Sequence, residues 1–580
     1  MQDRAGQLGI DLEAERADAV PAVRQPSEWT DAEWVGFVSA AVCEHESTTS
    51  LARIRALVDL AACRLPDEER LRITRLVVEE GFVRGHESHD TGMRSGGHRW
   101  VSRAALSAEE RLMAVFAEGL NADSVKWSYR TAVGINRAQA ANGWRASDEQ
   151  IDAVIAIVDG RDRITLVSGV AGSGKTTVLA AAHTALSTDR RPGVGGILVT
   201  STATLAASTA GDASGAPWMN VSELLARIDA GQVIKGTVVV VDEASMVDVK
   251  SLARIADWCA ASHKRLVLQG DDRQLRAVGA GDAFNVLCAA HPERVVRLTE
   301  NRRQRTESGR QIARALHARD VDTAWTALLD DDAVLVARNR EHKLDTVAAT
   351  VVDAIAEHGP RQVTCDAVTN VEVDDLNARI HARLVARGHI DGDTVTRYRT
   401  SAGVRELGIG SVLRVVTPLK ASGRGDGLVR GERVSVTEAG RDRIQIAFDD
   451  GRTRSLTPRT LFAHLDYGYA GTTHKVQGQT SAVHVASLDR NKDLASLYVS
   501  ATRGRDRTVF VADAREWLTD SELSKSVQWP PGQLDDEVLD RVARHLVGRP
   551  ERVDSPTRAM APHWEPPRQA MSSGGMGMSW

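Results

Sequence analysis

The sequence predicts an α/β protein of two doubly wound domains in tandem, with a helical N-terminal region and a small β insertion. Three observations carry this. Short β-branched runs alternate with helical segments twice along the chain. The first 140 residues show apolar spacing of 3.6 rather than 2. A stretch rich in Gly and Asp-Gly turns interrupts the second alternating set.

The elements follow in order. Asp31–Val42 (DAEWVGFVSAAV), 50–65 and 67–83 place apolar side chains at helical spacing. Asp31 and Ser50 are expected N-caps, and Gly81 is expected to stop the third helix. Residues 85–100 (GHESHDTGMRSGGHRW) read as a loop. In SAEERLMAVFAEGL, Ser107 and Glu110 have the spacing of a capping box. From 148, RITLVSG, GILVTST, TVVVVDE and KRLVLQGD are compact apolar runs bounded by turns, as in a parallel sheet buried on both faces. AVLVAR, QVTCDAVT, SAVHVASL and RTVFVAD repeat the pattern. Between them, GSVLRVVTPLK, ERVSVTEAG and DRIQIAFDDGRTRSLT read as antiparallel strands. The expected boundaries are 1–147 helical; 148–298 first α/β domain; 299–375 with 465–515 second; 376–464 insertion; 516–548 C-terminal helical segment. Residues 549–580 hold five of the 16 prolines and are expected to be a disordered tail.

Composition narrows the classes. The chain has 580 residues, 42% hydrophobic and 26% charged, a globular mix able to bury several cores. No run of about 18 apolar residues exists, so no transmembrane helix is expected. The acidic N-terminus has no apolar signal region. Five cysteines without a CxxC pair argue against a disulfide scaffold or cysteine zinc site, and fit a cytoplasmic setting. The net charge of −5 excludes a protein basic all over, but it sums unlike segments. Residues 1–60 hold 11 acidic and 5 basic side chains; 294–319 hold 8 arginines against 2 acids; 376–464 hold 16 basic against 9 acidic. A local basic groove therefore remains open.

Chemistry concentrates in a few segments. GVAGSGKT, 169–176, satisfies GxxxxGK[ST] between a strand and a helix, the context of a phosphate-binding P-loop. Gly169, Gly172, Ser173, Gly174, Lys175, Thr176 and Thr177 are the expected nucleotide contacts. Lys175 should reach the β- and γ-phosphates, and Thr176 should hold Mg²⁺. VVVVDEAS, 238–245, delivers two acids at the C-terminal edge of a strand. Asp242 is the expected Mg²⁺ partner and Glu243 the base for the attacking water. The expected cofactors are thus ATP and Mg²⁺.

Further on come LQGDDRQL (268–275), LTENRRQ (298–304), YAGTTHKVQGQT (469–480) and LYVSATRGR (497–505). With them the chain resembles superfamily 1 helicases of the RecD-like branch, and more closely the helicase portion of conjugative relaxase-helicases of the TraI/TrwC (MobF) type. The resemblance covers about 148–512. It implies two RecA-like domains and an SH3-like barrel for the insertion. It implies an ATP-dependent helicase on single-stranded DNA and ss/ds junctions, moving 5′→3′, with a relaxase or conjugation machinery as further partners. By this resemblance Gln150 reads adenine, Gln274 senses the γ-phosphate, and Arg303 and Arg503 are arginine fingers. Thr200 and Thr202, with Thr473, His474, Lys475, Gln477 and Thr480, contact DNA, and Trp218 is a loop anchor rather than a base-stacking platform. One departure stands in LVRGERV, where Arg430 replaces the family's usual Asn before Gly431.

A relaxase also needs a catalytic tyrosine and a histidine cluster for its metal. The first tyrosine is Tyr129, and His86, His89 and His98 make no third-ligand pattern, so no nicking domain is expected here. The alternatives are a catalytically reduced, relaxase-derived DNA-binding accessory protein, a RecD-like repair helicase, and a P-loop kinase or regulatory ATPase. The kinase reading predicts no second arginine-bearing motif set.

Overall fold

The computed structural model describes residues 29–42, 48–63, 65–84, 99–120, 129–143, 145–187, 196–277, 279–400, 403–419, 427–440, 442–527 and 532–547. The expected tail, and His86, His89 and His98, lie outside them. The chain divides into two compact units, the smaller running to Ala108 and including 279–281.

In the smaller unit, helices Asp31–Val42, Leu51–Ala61 and Asp67–Gly81 pack around Trp34, Val38, Ile54, Val58, Ile73, Val77 and Phe82. A small antiparallel sheet accompanies them. Its strands are β1 (Thr48–Ser50), β2 (Phe82–Arg84) and β3 (Arg99–Ser102), in the order β1-β3-β2. Ser50 caps as expected, its hydroxyl accepting from Arg53 N–H at 3.3 Å. Two other caps shift by a few residues. Thr30, not Asp31, caps the first helix: Glu33 N–H donates to its Oγ1 at 3.3 Å, and Thr30 N–H donates back to Glu33 Oε2 at 2.7 Å. Ser107 lies inside helix Arg103–Glu118, whose start is capped by Ser102 accepting from Ala105 N–H at 3.3 Å. Gly81 ends its helix, and a Cβ there would collide with the Ser39 hydroxyl, so close helix approach also requires it.

The larger unit contains both α/β layers. The first sheet has β4 (Ile164–Gly169), β5 (Ile197–Ser201), β6 (Trp218–Asn220), β7 (Val238–Val241), β8 (Arg265–Gly270) and β9 (Val295–Leu298). All pair in parallel, in the order β6-β5-β7-β8-β4-β9. β4, β5 and β7 are buried along their whole length, which is why they read as unbroken apolar runs. β8 lies between β4 and β7, so the loop after it opens beside both the P-loop and the acid pair.

The second sheet is also parallel: β10 (Val334–Ala337), β11 (Val363–Ala367), β19 (Ala470–Thr472), β20 (Ser481–Leu488) and β21 (Gly504–Asp513), in the order β10-β21-β20-β11-β19. Between β11 and β19, the stretch from 376 opens in helix Asn370–Ala386, which packs on the second α/β layer. The antiparallel strands follow: β12 (Thr396–Thr400), β13 (Gly403–Leu407), β14 (Val412–Val415), β15 (Arg433–Ala439), β16 (Ile444–Ala447), β17 (Thr453–Leu456) and β18 (Leu465–Tyr467). β12 pairs β13, and the others form a sheet in the order β17-β16-β15-β14-β18. No helix among the described residues is long and apolar enough to cross a membrane.

Candidate nucleotide and DNA site

The P-loop joins β4 to helix Lys175–Ser187, with Gly172 and Gly174 at φ 77° and 87°. That left-handed backbone favours glycine. Space demands glycine too: a Cβ at Gly174 would lie 2.5 Å from Gln150 Nε2, and one at Gly172 would collide with the Arg303 side chain. Gly172→Ala is therefore expected to weaken ATP binding at least about tenfold through left-handed strain of order 1–3 kcal/mol, measured by titration with a fluorescent nucleotide. Lys175 Nζ donates to Gly169 O at 2.6 Å. Thr176 and Thr177 follow on the first helical turn, half-buried. Ser173 Oγ is buried without a hydrogen-bond partner, an orphan that a phosphate oxygen would satisfy.

Gln150 differs from expectation. Its Oε1 accepts from Ser147 N–H at 3.2 Å, closing a capping box, and its Nε2 donates to Ser173 O at 2.9 Å. Only 2% of it is exposed. In this structure Nε2 braces the P-loop while Oε1 closes the cap of its own helix, so both ends of the amide are engaged within the protein.

Four consecutive valines in β7 carry Asp242 and Glu243 to the sheet edge. Gln269 Nε2 donates to Asp242 Oδ1 at 2.8 Å. Burial, and then the Glu243 charge, push the Asp242 pKa up to about 6. Glu243 sits in the left-handed region at φ 52°, a strained conformation for a residue with a Cβ. Gln477 Nε2 lies 3.4 Å from Glu243 Oε2 and donates to Gln274 Oε1 at 3.2 Å. The Gln477 amide nitrogen thus meets Glu243 and Gln274 rather than facing solvent. Gln274 Nε2 in turn donates to Asp271 Oδ2 at 3.0 Å.

The two arginines approach from opposite segments. Arg302 N–H donates to Gly172 O at 3.0 Å, tying 301–304 to the P-loop. Arg303 Nη1 donates to Thr502 O at 3.2 Å, and Gln304 Nε2 to Thr502 O and Gly504 O, both at 3.1 Å. Arg302 and Arg305 instead pair with Glu300 and Asp506. Arg503 is 1% exposed and donates to Val499 O at 2.9 Å and Gln479 O at 3.1 Å. Burial, and then the Arg303 charge, lower its pKa to about 9. Tyr498 was not singled out from the sequence. Its hydroxyl accepts from Ala171 N–H of the P-loop at 3.1 Å and donates to Asp271 Oδ2 at 2.9 Å.

The expected DNA contacts separate by exposure. Thr202, His474, Lys475 and Thr480 are exposed. Thr200 is 0% exposed inside β5, and Thr473 is 4% exposed with its hydroxyl on Asp366. Neither side chain is open to a strand, because each belongs to a segment buried between layers. Trp218 is half-buried at the start of β6, with Nε1 on Asp212 at 3.0 Å, an anchor as expected.

Residues 145–339 match the family model described as an AAA domain. The match takes in the P-loop, both acids, Gln274 and Arg303. A probable conjugal transfer protein TraA of Sinorhizobium fredii (strain NBRC 101917 / NGR234) is 32% identical over 378 residues, covering 62% of this chain and 32% of TraA. A conjugal transfer protein TraA of Agrobacterium fabrum (strain C58 / ATCC 33970) is 29% identical over 450 residues, covering 75% and 39%. The chain therefore spans about a third of the length of these curated relatives. The resemblance to conjugative relaxase-helicases holds on this footing. Among solved structures, a Pif1 helicase from Bacteroides in complex with ADP-AlF3 and ssDNA aligns with TM-score 0.44 and 16% identity, covering 66% of this chain and 97% of that one.

Proposed function

We propose that the chain is an ATP-driven translocase and helicase on single-stranded DNA, moving 5′→3′ and serving conjugative DNA transfer alongside a relaxase. The observation that carries this reading is Gln477. A side chain from the segment proposed to hold DNA touches the proposed base, Glu243, and the proposed γ-phosphate sensor, Gln274. A shift of that segment on a DNA strand would be felt at the attacking water's base, which is the coupling a motor needs. A kinase or regulatory ATPase has no use for such a link, nor for two arginines beside the P-loop.

The donor set suits Mg·ATP. Lys175 and the orphaned Ser173 hydroxyl suit phosphate oxygens. Thr176 and Asp242 would hold Mg²⁺, which supplies charge neutralisation on the β- and γ-phosphates. Arg303 and Arg503 supply planar donors for charge developing on the γ-phosphate. Of the DNA contacts, Thr202, His474, Lys475 and Thr480 keep that proposed role.

The test is ATP turnover by the intact chain with and without single-stranded DNA. Stimulation of at least about tenfold is expected, a coupling of roughly 1.4 kcal/mol. Turnover indifferent to DNA would sink the reading. Unwinding of a duplex with a 5′ tail, but not one with a 3′ tail, checks direction.

A further inference from the structure

Arg414 is a buried cation that makes no ion pair among the described residues. It lies on β14, 7% exposed, and its Nε is closed off from solvent without a hydrogen-bond partner. The guanidinium packs flat on Gly471, where any Cβ would collide with Nη1. Its cross-strand neighbours are committed elsewhere. Arg433 donates to Val363 O at 2.9 Å and Pro360 O at 2.7 Å, and Asp466 accepts from Arg405 Nε at 2.9 Å. Burial, and then Arg433, lower the Arg414 pKa to about 10, so it stays charged near neutral pH.

More positive charge gathers beside it. Partial desolvation of its ammonium, and then Arg414 and Arg430, lower the pKa of Lys475, against the opposing charge of Asp466. The residue as a whole is exposed, and among the described residues its Nζ donates to the neutral Asn370 Oδ1, at 3.1 Å. Arg430 is exposed on a turn whose Gly431 packs against Leu205 of helix Thr204–Ser214, just past exposed Thr202. The locus therefore sits where the insertion, the 469–480 segment and the first α/β layer meet. An unpaired buried charge costs stability. Lys475 feels both arginines, and the one acid acting on it, Asp466, is already engaged by Arg405, so a further anion would relieve the locus.

We propose that Arg414, with Lys475 and Arg430, forms a socket for one phosphodiester of single-stranded DNA. This rests on the function proposed above and adds to it a residue that no motif singles out. Arg414 offers a planar donor fork held by Gly471, and Lys475 a movable point charge. A phosphodiester is the anion that the neighbouring Thr202, His474 and Thr480 would line up in series.

The experiment compares the full chain with Arg414→Met in two measurements. In thermal unfolding without DNA, Arg414→Met is expected to melt higher than wild type, because an unpaired charge is replaced by an apolar chain of similar length. In oligonucleotide binding across salt, it is expected to bind about tenfold more weakly, with the slope of log K against log[salt] shallower by about 0.7. An oligonucleotide scanned with neutral methylphosphonates should weaken wild-type binding at one linkage to which Arg414→Met is indifferent. A variant that melts lower, or binds DNA with unchanged affinity and slope, overturns the socket. Inorganic phosphate separates the sources. If phosphate raises the melting temperature of wild type but not of Arg414→Met while DNA affinity is equal in both, the site takes small anions only and the phosphodiester assignment falls. If wild type ignores DNA yet is stabilised by phosphate through Arg414, the helicase reading falls and an anion socket stands.

Discussion

Glu243→Gln is expected to lower ATP turnover by a factor of order 10³ while ATP still binds. The amide keeps the shape of the proposed base and its contact with Gln477, but cannot take the proton of an attacking water. Lys175→Ala is expected to lose turnover by a factor of 10² to 10³ and ATP affinity with it, because a positive donor aimed at the phosphates disappears. The pair separates the roles. Nucleotide titration should leave the Glu243 variant near wild type and weaken the Lys175 variant. A Glu243→Gln protein that fails to bind ATP would show Glu243 to be a structural support of the site.

How much of this was legible in the sequence varies with the physics of each residue. The strands were legible because burial on both faces leaves compact, β-branched and largely apolar runs, most plainly β7 and, with a few polar residues, β5 and β20. The P-loop was legible because wrapping a phosphate needs glycine at fixed spacing. Caps were legible only to within a few residues: Thr30 and Asp31 are both capping types, and only the chain's path chooses between them. The side chains of Gln150, Thr200, Thr473 and Gln477 face protein partners or the buried layers rather than open solvent, for one reason. A motif says that a polar side chain is needed, not which way it faces. Gln150 turned inward to brace the P-loop, Thr200 and Thr473 turned into the layers, and Gln477 turned to the acids. Tyr498 and Arg414 carried no sequence signal, because their partners lie far along the chain or, for Arg414, are absent.

The second large effect is expected at Asp366, an acid in the apolar run VTCDA of β11. It is 0% exposed, as are Lys492, His484 and Ser500 around it. Lys492 Nζ donates to Oδ2 at 2.9 Å, Ser500 Oγ to Oδ2 at 3.0 Å, and His484 Nε2 lies 3.1 Å from Oδ1. The Thr473 hydroxyl completes the set. One carboxylate thus joins helix Thr473–Val476, in the proposed DNA segment, to helix Leu494–Ala501, which leads into Arg503. Burial alone would raise the Asp366 pKa, but Lys492 and His484 hold it well below the usual carboxylate range. Asp366→Ala strands Lys492 without a counter-charge, and is expected to cost about 3–5 kcal/mol of stability. Adding Lys492→Met should return most of that loss, which chemical denaturation of the single and double variants would measure. If the double variant is as unstable as the single, the acid acts through shape and not charge. The same network sets an acid limit. Burial lowers the His484 pKa, so the unfolded chain takes up that proton first as pH falls through about 6.5. Asp366 adds its share below about 4, the unfolded carboxylate value, where again the unfolded state binds the extra proton. This network's contribution is therefore expected to be full above about pH 7 and to fall in two steps toward pH 3, and the lower step should be smaller in Asp366→Ala.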